Sequence, residues 1–110
     1  MLEHVEGPAT LRLKNVSKSG FEREDKSEKL NYNLVPLWFW TRLAKLYTEG
    51  ARTHGARNWE KASTFQDLQS FRESAFRHFI QYMNGDTNED HMAAVVFNLV
   101  GMEHVMKGDL

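Results

Sequence analysis

The chain carries no cysteine in its 110 residues. That excludes disulfide staples, thiolate zinc sites and a cysteine nucleophile together, and it fits an intracellular protein. An excess of either charge is also missing: 14 basic residues meet 15 acidic ones, for a formal net charge of −1. No global field advertises nucleic acid or a membrane surface, so any anion site must be a local cluster. Long apolar runs are lacking as well. The longest, Met92 to Met102, is broken by Asn98 and falls short of the ~20 residues a membrane span needs. The opening Met1-Leu-Glu-His-Val-Glu has no basic stretch followed by an apolar one, so no secretory signal is expected. No internal repeat interrupts the pattern. The expectation is a soluble single domain, with 41% hydrophobic and 26% charged residues in ordinary globular proportion.

What is present divides the chain in two. Residues 1–30 are rich in Lys, Glu, Arg, Ser and Gly and poor in large apolar side chains. Thr10 to Lys14 alternates as a short strand would, and Gly20 to Lys29 reads as a mobile arm that can bury little. Residues 31–110 read as helix. Pro36 suits a first helical turn, the broad apolar face from Leu37 to Tyr47 follows, and Gly55 provides a stop. A second helix is expected from Ser63-Thr64-Phe65-Gln66, with Ser63 and Gln66 as a capping box. Its apolar stripe runs through Phe65, Leu68, Phe71, Ala75, Phe76, Phe79 and Met83 to a stop at Asn84-Gly85. A third begins after Glu89 and Asp90, whose charges favour a helix N-terminus, and is apolar nearly all round until Gly108. Such a helix is a buried one. Three helices of one short chain can hardly cover it, so the fold class expected is a small all-α bundle completed by homo-oligomerisation.

The informative residues are polar ones in apolar places. At ~100° per residue, Arg72 falls on the second helix's apolar stripe. There it would be a salt-bridged structural residue or a bidentate phosphate clamp. His91 and Asn98, seven residues apart, share a face with small Ala94 between them, leaving a groove for something flat. Glu89-Asp90-His91 gathers oxygen donors and one nitrogen, a set suited to Mg²⁺ or Mn²⁺ over zinc. Neighbouring helical residues diverge, so the triplet alone cannot complete a site. The segment Arg52 to Lys61 sets Arg52, Arg57, Asn58, Trp59 and Lys61 around a glycine; it is either a solvated loop pinned by Trp59 or a holder of phosphate and base.

Taken in order, Gly50-Ala51-(x)2-His54-Gly55-(x)2-Asn58-Trp59-(x)-Lys61, then Arg77-His78, then Gly85-Asp86-(x)2-Glu89-Asp90-His91-(x)6-Asn98 resembles the phage-associated dATP/dGTP diphosphohydrolase-like family. That family is related to the MazG-like all-α nucleotide pyrophosphohydrolases. The likeness runs from about Arg23 to about Met106. It implies a helical bundle, oligomerisation, and cleavage of a purine deoxynucleoside triphosphate to monophosphate and pyrophosphate; the expected location is cytoplasmic, the host's cytoplasm if the protein is viral. It further implies Mg²⁺ held by helix-borne acids, the ion neutralising charge and lowering the pKa of the attacking water. The wider superfamily sets Glu-x-x-Glu on one helix against Glu-x-x-Asp on the next. This chain departs from that: beyond its first turn the second helix offers only Glu73, with Phe76 and Arg77 where another acid would sit, and Asp90 is followed by Ala93 and Ala94. Near the arm, Glu28 stands where relatives tend to have Gly, and Asn33 where they tend to have Asp.

Two functions are therefore weighed. The first is an Mg²⁺-dependent (Mn²⁺ as substitute) purine nucleoside triphosphate pyrophosphohydrolase. In it Glu73, Asp90 and His91 hold metal or activate water, backed by Glu60 and Glu89. Arg52, Arg57, Lys61, Arg72, Arg77 and His78 steady phosphates, while Asn58, Trp59 and Asn98 face base or ribose. The second is a binding protein on the same scaffold, such as a viral sponge, that captures a nucleotide or nucleotide signal uncut. A structural or interaction module is the plainest third reading.

Overall fold

The computed structural model describes residues 14–24 and 29–108. Two compact units result, residues 1–34 and 35–110. In the first, β1 (Lys14–Val16) and β2 (Glu22–Glu24) form an antiparallel hairpin in which Asn15 faces Arg23. The turn closes through Gly20, whose φ of 89° suits a residue without Cβ, and its N–H donates to the Ser17 carbonyl at 2.9 Å. Of the expected strand from Thr10 to Lys14, residues 10–13 lie outside the described ones, and Lys14 opens β1. Residues 22–24, expected within a mobile arm, are a paired strand instead, because the tight turn lets the backbone pair locally without any core to bury.

The second unit is an all-α bundle of three helices, α1 (Leu37–His54), α2 (Phe65–Met83) and α3 (His91–Lys107). Pro36 stands just before α1, and Gly55 ends it at φ 94°, returning its N–H to the Ala51 carbonyl. The α2 cap differs from expectation by one residue. Thr64, not Ser63, accepts from the Asp67 N–H at 3.0 Å, and Asp67, not Gln66, receives the N–H groups of Thr64 and Ser63. Its short carboxylate satisfies two helix-end donors at once, and those bonds hold it below the usual carboxylate range. Asn84 and Gly85 (φ 82°) stop α2 as expected.

Helix α3 packs mainly on α2 and less extensively on α1. The buried set is small: Ala75, Ala93, Ala94, Gly101 and Val105, with His91 and Asn98 as its polar members. Small residues line the contact of α2 with α3, and Gly101 leaves no room there for a side chain. A Cβ built there would stand 2.5–2.6 Å from ring atoms of Phe71, whose other contacts include the edge of Phe97. At the start of α3, Asp90 is the N-cap, accepting from the Ala93 N–H at 3.1 Å. Arg42 of α1 donates from Nε and a terminal nitrogen to the same carboxylate at 2.8 and 2.6 Å. One carboxylate therefore joins two helices.

The expectation that α3 is buried all round is not met by the single chain. Leu99, Val100 and Met106 are exposed, as are Phe65, Phe76, Phe79 and Met83 of α2, so the predicted stripe of α2 is only partly core. Arg72 is not buried on that stripe but exposed, reaching Gln69 at 3.4 Å. Among the described residues no helix is long and apolar enough to cross a membrane.

Two consequences can be measured by thermal or denaturant unfolding. Gly101→Ala should lose about 1 kcal/mol, since overpacking costs of ~1–3 kcal/mol outweigh the ~1 kcal/mol gain in helix propensity. Gly50→Ala, with nothing within 4 Å of its new methyl, should gain about 0.5–1 kcal/mol. At Asp90, alanine should lose the cap (~1 kcal/mol) together with a half-exposed ion pair worth under ~1 kcal/mol. The Asp90→Asn variant keeps the cap and should lose only the pair. Arg42 holds the Asp90 carboxyl below its ordinary value, chiefly through its hydrogen bonds and against the opposing effect of burial. A depressed folded-state pKa gives stability that is whole above the unfolded value of ~3.9 and lost as pH falls through the folded one. The gap between wild type and Asp90→Asn should thus be flat from neutral pH to about 5 and close below ~3.9.

Candidate functional site

The chain leaves α1 at Gly55 and turns through Arg57, whose left-handed φ of 60° is sparsely populated by a residue with a side chain. A 3-10 turn follows over Asn58–Lys61. Trp59 anchors it: its ring meets Tyr47 of α1 and His104 of α3 edge-on, with centroids 6.0 and 5.2 Å apart. His104 Nε2 also donates to the Glu60 carbonyl at 2.9 Å, so the turn is tied to the last helix by backbone and ring together. Between this turn and the end of α1 lies a cavity of about 360 Å³, lined by Tyr47, Gly50, Ala51, His54, Arg57, Asn58, Trp59, Glu60 and Phe97 among others. Gly50 and Ala51 leave it open because they carry little side chain. Burial raises the Tyr47 phenol pKa, so its hydroxyl stays protonated. Arg57 spans to the Glu60 carboxylate at 2.9 Å, with its own side chain largely in solvent.

A second cluster forms at the α2–α3 turn. His78, on α2, and His91, the first residue of α3, place their Nδ1 atoms 2.9 Å apart. His91 is buried, at 2% exposure. Its Nε2 lies 3.3 Å from Asp86 Oδ2 but makes no hydrogen bond. Asp86 is itself fixed by the Asn88 N–H at 2.9 Å. Glu89 brings a carboxylate oxygen within 4.8 Å of a ring nitrogen of each histidine. Burial lowers the His78 pKa, with Glu89 opposing and Arg77 and His91 adding to the fall; the imidazole is neutral at pH 7.

The residues singled out in the sequence separate into several places. Arg57, Asn58, Trp59 and Glu60 meet at the α1–α2 cavity. His78, Glu89 and His91 meet at the histidine cluster. Arg72 and Glu73 line a different, open groove with Phe76, Phe79 and Leu99. Arg52 pairs with Glu49 at 2.8 Å beside a hollow that also includes Asp90. Lys61 is exposed, and Arg77 reaches only Ser74 at 3.2 Å. Asn98 is buried with its amide donating to the Ala94 carbonyl one turn back at 2.8 Å, so that amide bond is spent within the helix.

The oxygen cage that Mg²⁺ requires is not what these positions form. Of the four acids considered for it, Glu60 is paired to Arg57, Glu73 lines the separate groove, and Asp90 is occupied by Arg42 and by capping. Glu89 is left, in company with two imidazoles. This donor set does not fit an ion that prefers six oxygens. The reason lies in the packing: at the start of α3 the Asp90 carboxylate meets Arg42 of α1.

Several site residues carried no signal in the sequence. Arg42 sits 48 residues from its partner and reads as an ordinary surface cation. His104 likewise gives no hint of its bond to the Glu60 carbonyl. Tyr47 and Phe97 read as core; both are half-buried, and their rings meet at 5.1 Å. Asp86 stood inside the Gly85-to-His91 block, and only the turn geometry shows it beside His91.

Comparison with curated proteins and with solved structures finds no match. The family model of the dATP/dGTP diphosphohydrolase N-terminal region matches residues 19–109. That span takes in all three helices, the Trp59 turn and the histidine cluster. The chain belongs to the dATP/dGTP diphosphohydrolase N-terminal family.

Proposed function

We propose that the chain binds a purine deoxynucleoside triphosphate in the Trp59 cavity and cleaves it to the monophosphate and pyrophosphate. The family match supports the reaction class, and the cavity is the observation that carries the reading. Its volume, about 360 Å³, lies within the range of small-molecule sites. Trp59 supplies an aromatic surface, Asn58 an amide able to read a base edge, and Arg57 with His54 cationic or donor groups for phosphate.

Arg57 can exchange Glu60 for a phosphate at little cost, because an exposed ion pair contributes at most ~1 kcal/mol. The cavity lies at the C-terminal end of α1, where backbone carbonyls repel anions. Arg57 supplies a cation in the cavity, and Arg52 adds a second in the last turn of α1, which offsets that repulsion. In the reaction, water attacks the α-phosphorus, the bond from that phosphorus to the α–β bridging oxygen breaks, and pyrophosphate leaves. No step is assigned to Mg²⁺, since the expected carboxylates are not gathered.

A second reading is capture of the nucleotide without cleavage. The engagement of Asp90 by Arg42 and the α3 backbone favours it, because that acid has no free oxygen to spare for catalysis. In either case a second copy of the chain is the proposed cover for the apolar side chains that α2 and α3 expose.

Incubating the purified chain with dATP and dGTP, with Mg²⁺ or Mn²⁺, and identifying products by mass spectrometry separates the readings. Monophosphate and pyrophosphate are expected. Nucleotide bound and recovered intact would establish capture instead. With Trp38→Phe and Trp40→Phe in place, Trp59 fluorescence should change on adding purine nucleotide. Arg57→Ala should weaken that binding about 10–100-fold, the loss of a charge-assisted hydrogen bond of ~1.5–3 kcal/mol. No fluorescence change and no product would sink both readings.

A further inference from the structure

Two imidazoles whose Nδ1 atoms stand 2.9 Å apart have two ways to be content. One donates a proton to the other, or both lone pairs point at one ion. For metal–nitrogen bonds of ~2.05 Å, a 2.9 Å separation subtends about 90° at the ion, the angle between neighbouring ligands of an octahedron. An opening of about 0.5 Å reaches the tetrahedral angle at the same bond length. The remaining features favour the ion. His91 is buried with Nε2 lacking any hydrogen bond, yet Asp86 Oδ2 waits 3.3 Å from it. A metal-bound histidine commonly donates its other ring N–H to such a carboxylate, which fixes the tautomer and leaves the first nitrogen as ligand. Here that would commit His91 Nδ1 to the metal side. Glu89 is exposed, and its carboxylate already lies within 4.8 Å of a ring nitrogen of each histidine, so rotation about its side chain can close the third position.

We infer that His78, His91 and Glu89 form a binding site for a borderline divalent transition-metal ion, of the Zn²⁺ and Co²⁺ class, in preference to Mg²⁺. Nitrogen-rich sets select such ions, whereas Mg²⁺ keeps oxygen ligands and water. Three protein ligands on one side of the ion leave coordination positions for water or a phosphate oxygen. The site stands independently of the Trp59 cavity, because none of its ligands lines that cavity.

The test uses metal alone, without nucleotide, so that its outcome does not depend on hydrolysis or capture. Equilibrium dialysis of the full chain against Co²⁺ or Zn²⁺ should give one ion per chain. Co²⁺ should develop visible absorption bands that a hundredfold excess of Mg²⁺ leaves in place. His78→Ala and Glu89→Gln, both away from the tight core, should each weaken binding at least tenfold with an unchanged circular dichroism spectrum. Asp86→Asn should weaken it about 10–100-fold, as loss of an orienting carboxylate does. His54→Ala, at the other cavity, should bind as wild type. Absence of stoichiometric binding would overturn the inference, as would binding that His78→Ala and Glu89→Gln leave intact, or Mg²⁺ displacing Co²⁺ at equal concentration. The histidines would then be a proton-sharing pair.

Discussion

Phe71 lies across the backbone of α3 at Gly101, and the rest of the helical unit is arranged around that contact. With glycine at 101 and alanine at 75, 93 and 94 in the buried set, small residues make room for the Phe71 ring between the two helices. Close packing of this kind transmits shape, because a well-filled interior resists even one added methyl group. It brings His78 and His91 together at the α2–α3 turn, and it places Phe97 against Phe71 and Tyr47. Through Tyr47 and His104 the same helix α3 holds the Trp59 turn. The two chemically interesting regions are therefore opposite consequences of one helix placement.

That placement also explains why the acids do not gather. The Asp90 carboxylate caps α3 and reaches Arg42, so its charge is consumed in joining helices. A carboxylate used in this way is held ionised and rigid, and it is poorly suited to take up another role at the same time. What remains near α2 is nitrogen: two imidazoles, with Glu89 beside them and Asp86 behind. A site's preference among cations follows from its donor atoms. Here the atoms gathered are imidazole nitrogens with a single carboxylate beside them.

Much of the helical architecture could be read from local patterns. Pro36 and Gly55 bracket α1, and Asn84-Gly85 ends α2, because these residues act on their own backbone and need no partner from elsewhere. The capping box missed by one residue: Ser and Thr are interchangeable as caps, and only the backbone geometry chooses Thr64 with Asp67. The hairpin escaped for the opposite reason. Charged strands with no buried face show no alternation, so Glu22 to Glu24 looks like linker until its backbone pairing is seen. Arg72 was misplaced by the helical wheel, which shows that a residue shares a stripe with apolar neighbours but not how far around the helix its partner extends.

The sequence by itself determined the all-α class, the helix stops, the family likeness and the grouping of Asn58 with Trp59, all of which depend on residues close together along the chain. Tertiary structure alone decided that Arg42 meets Asp90, that His104 ties down the Trp59 turn, and that His78 faces His91 while Glu73 and Arg72 lie in another groove. Those outcomes depend on the rotation and spacing of α3 against its neighbours. Rotation and spacing are set by many small contacts summed over the core, and no single short stretch of sequence records that sum.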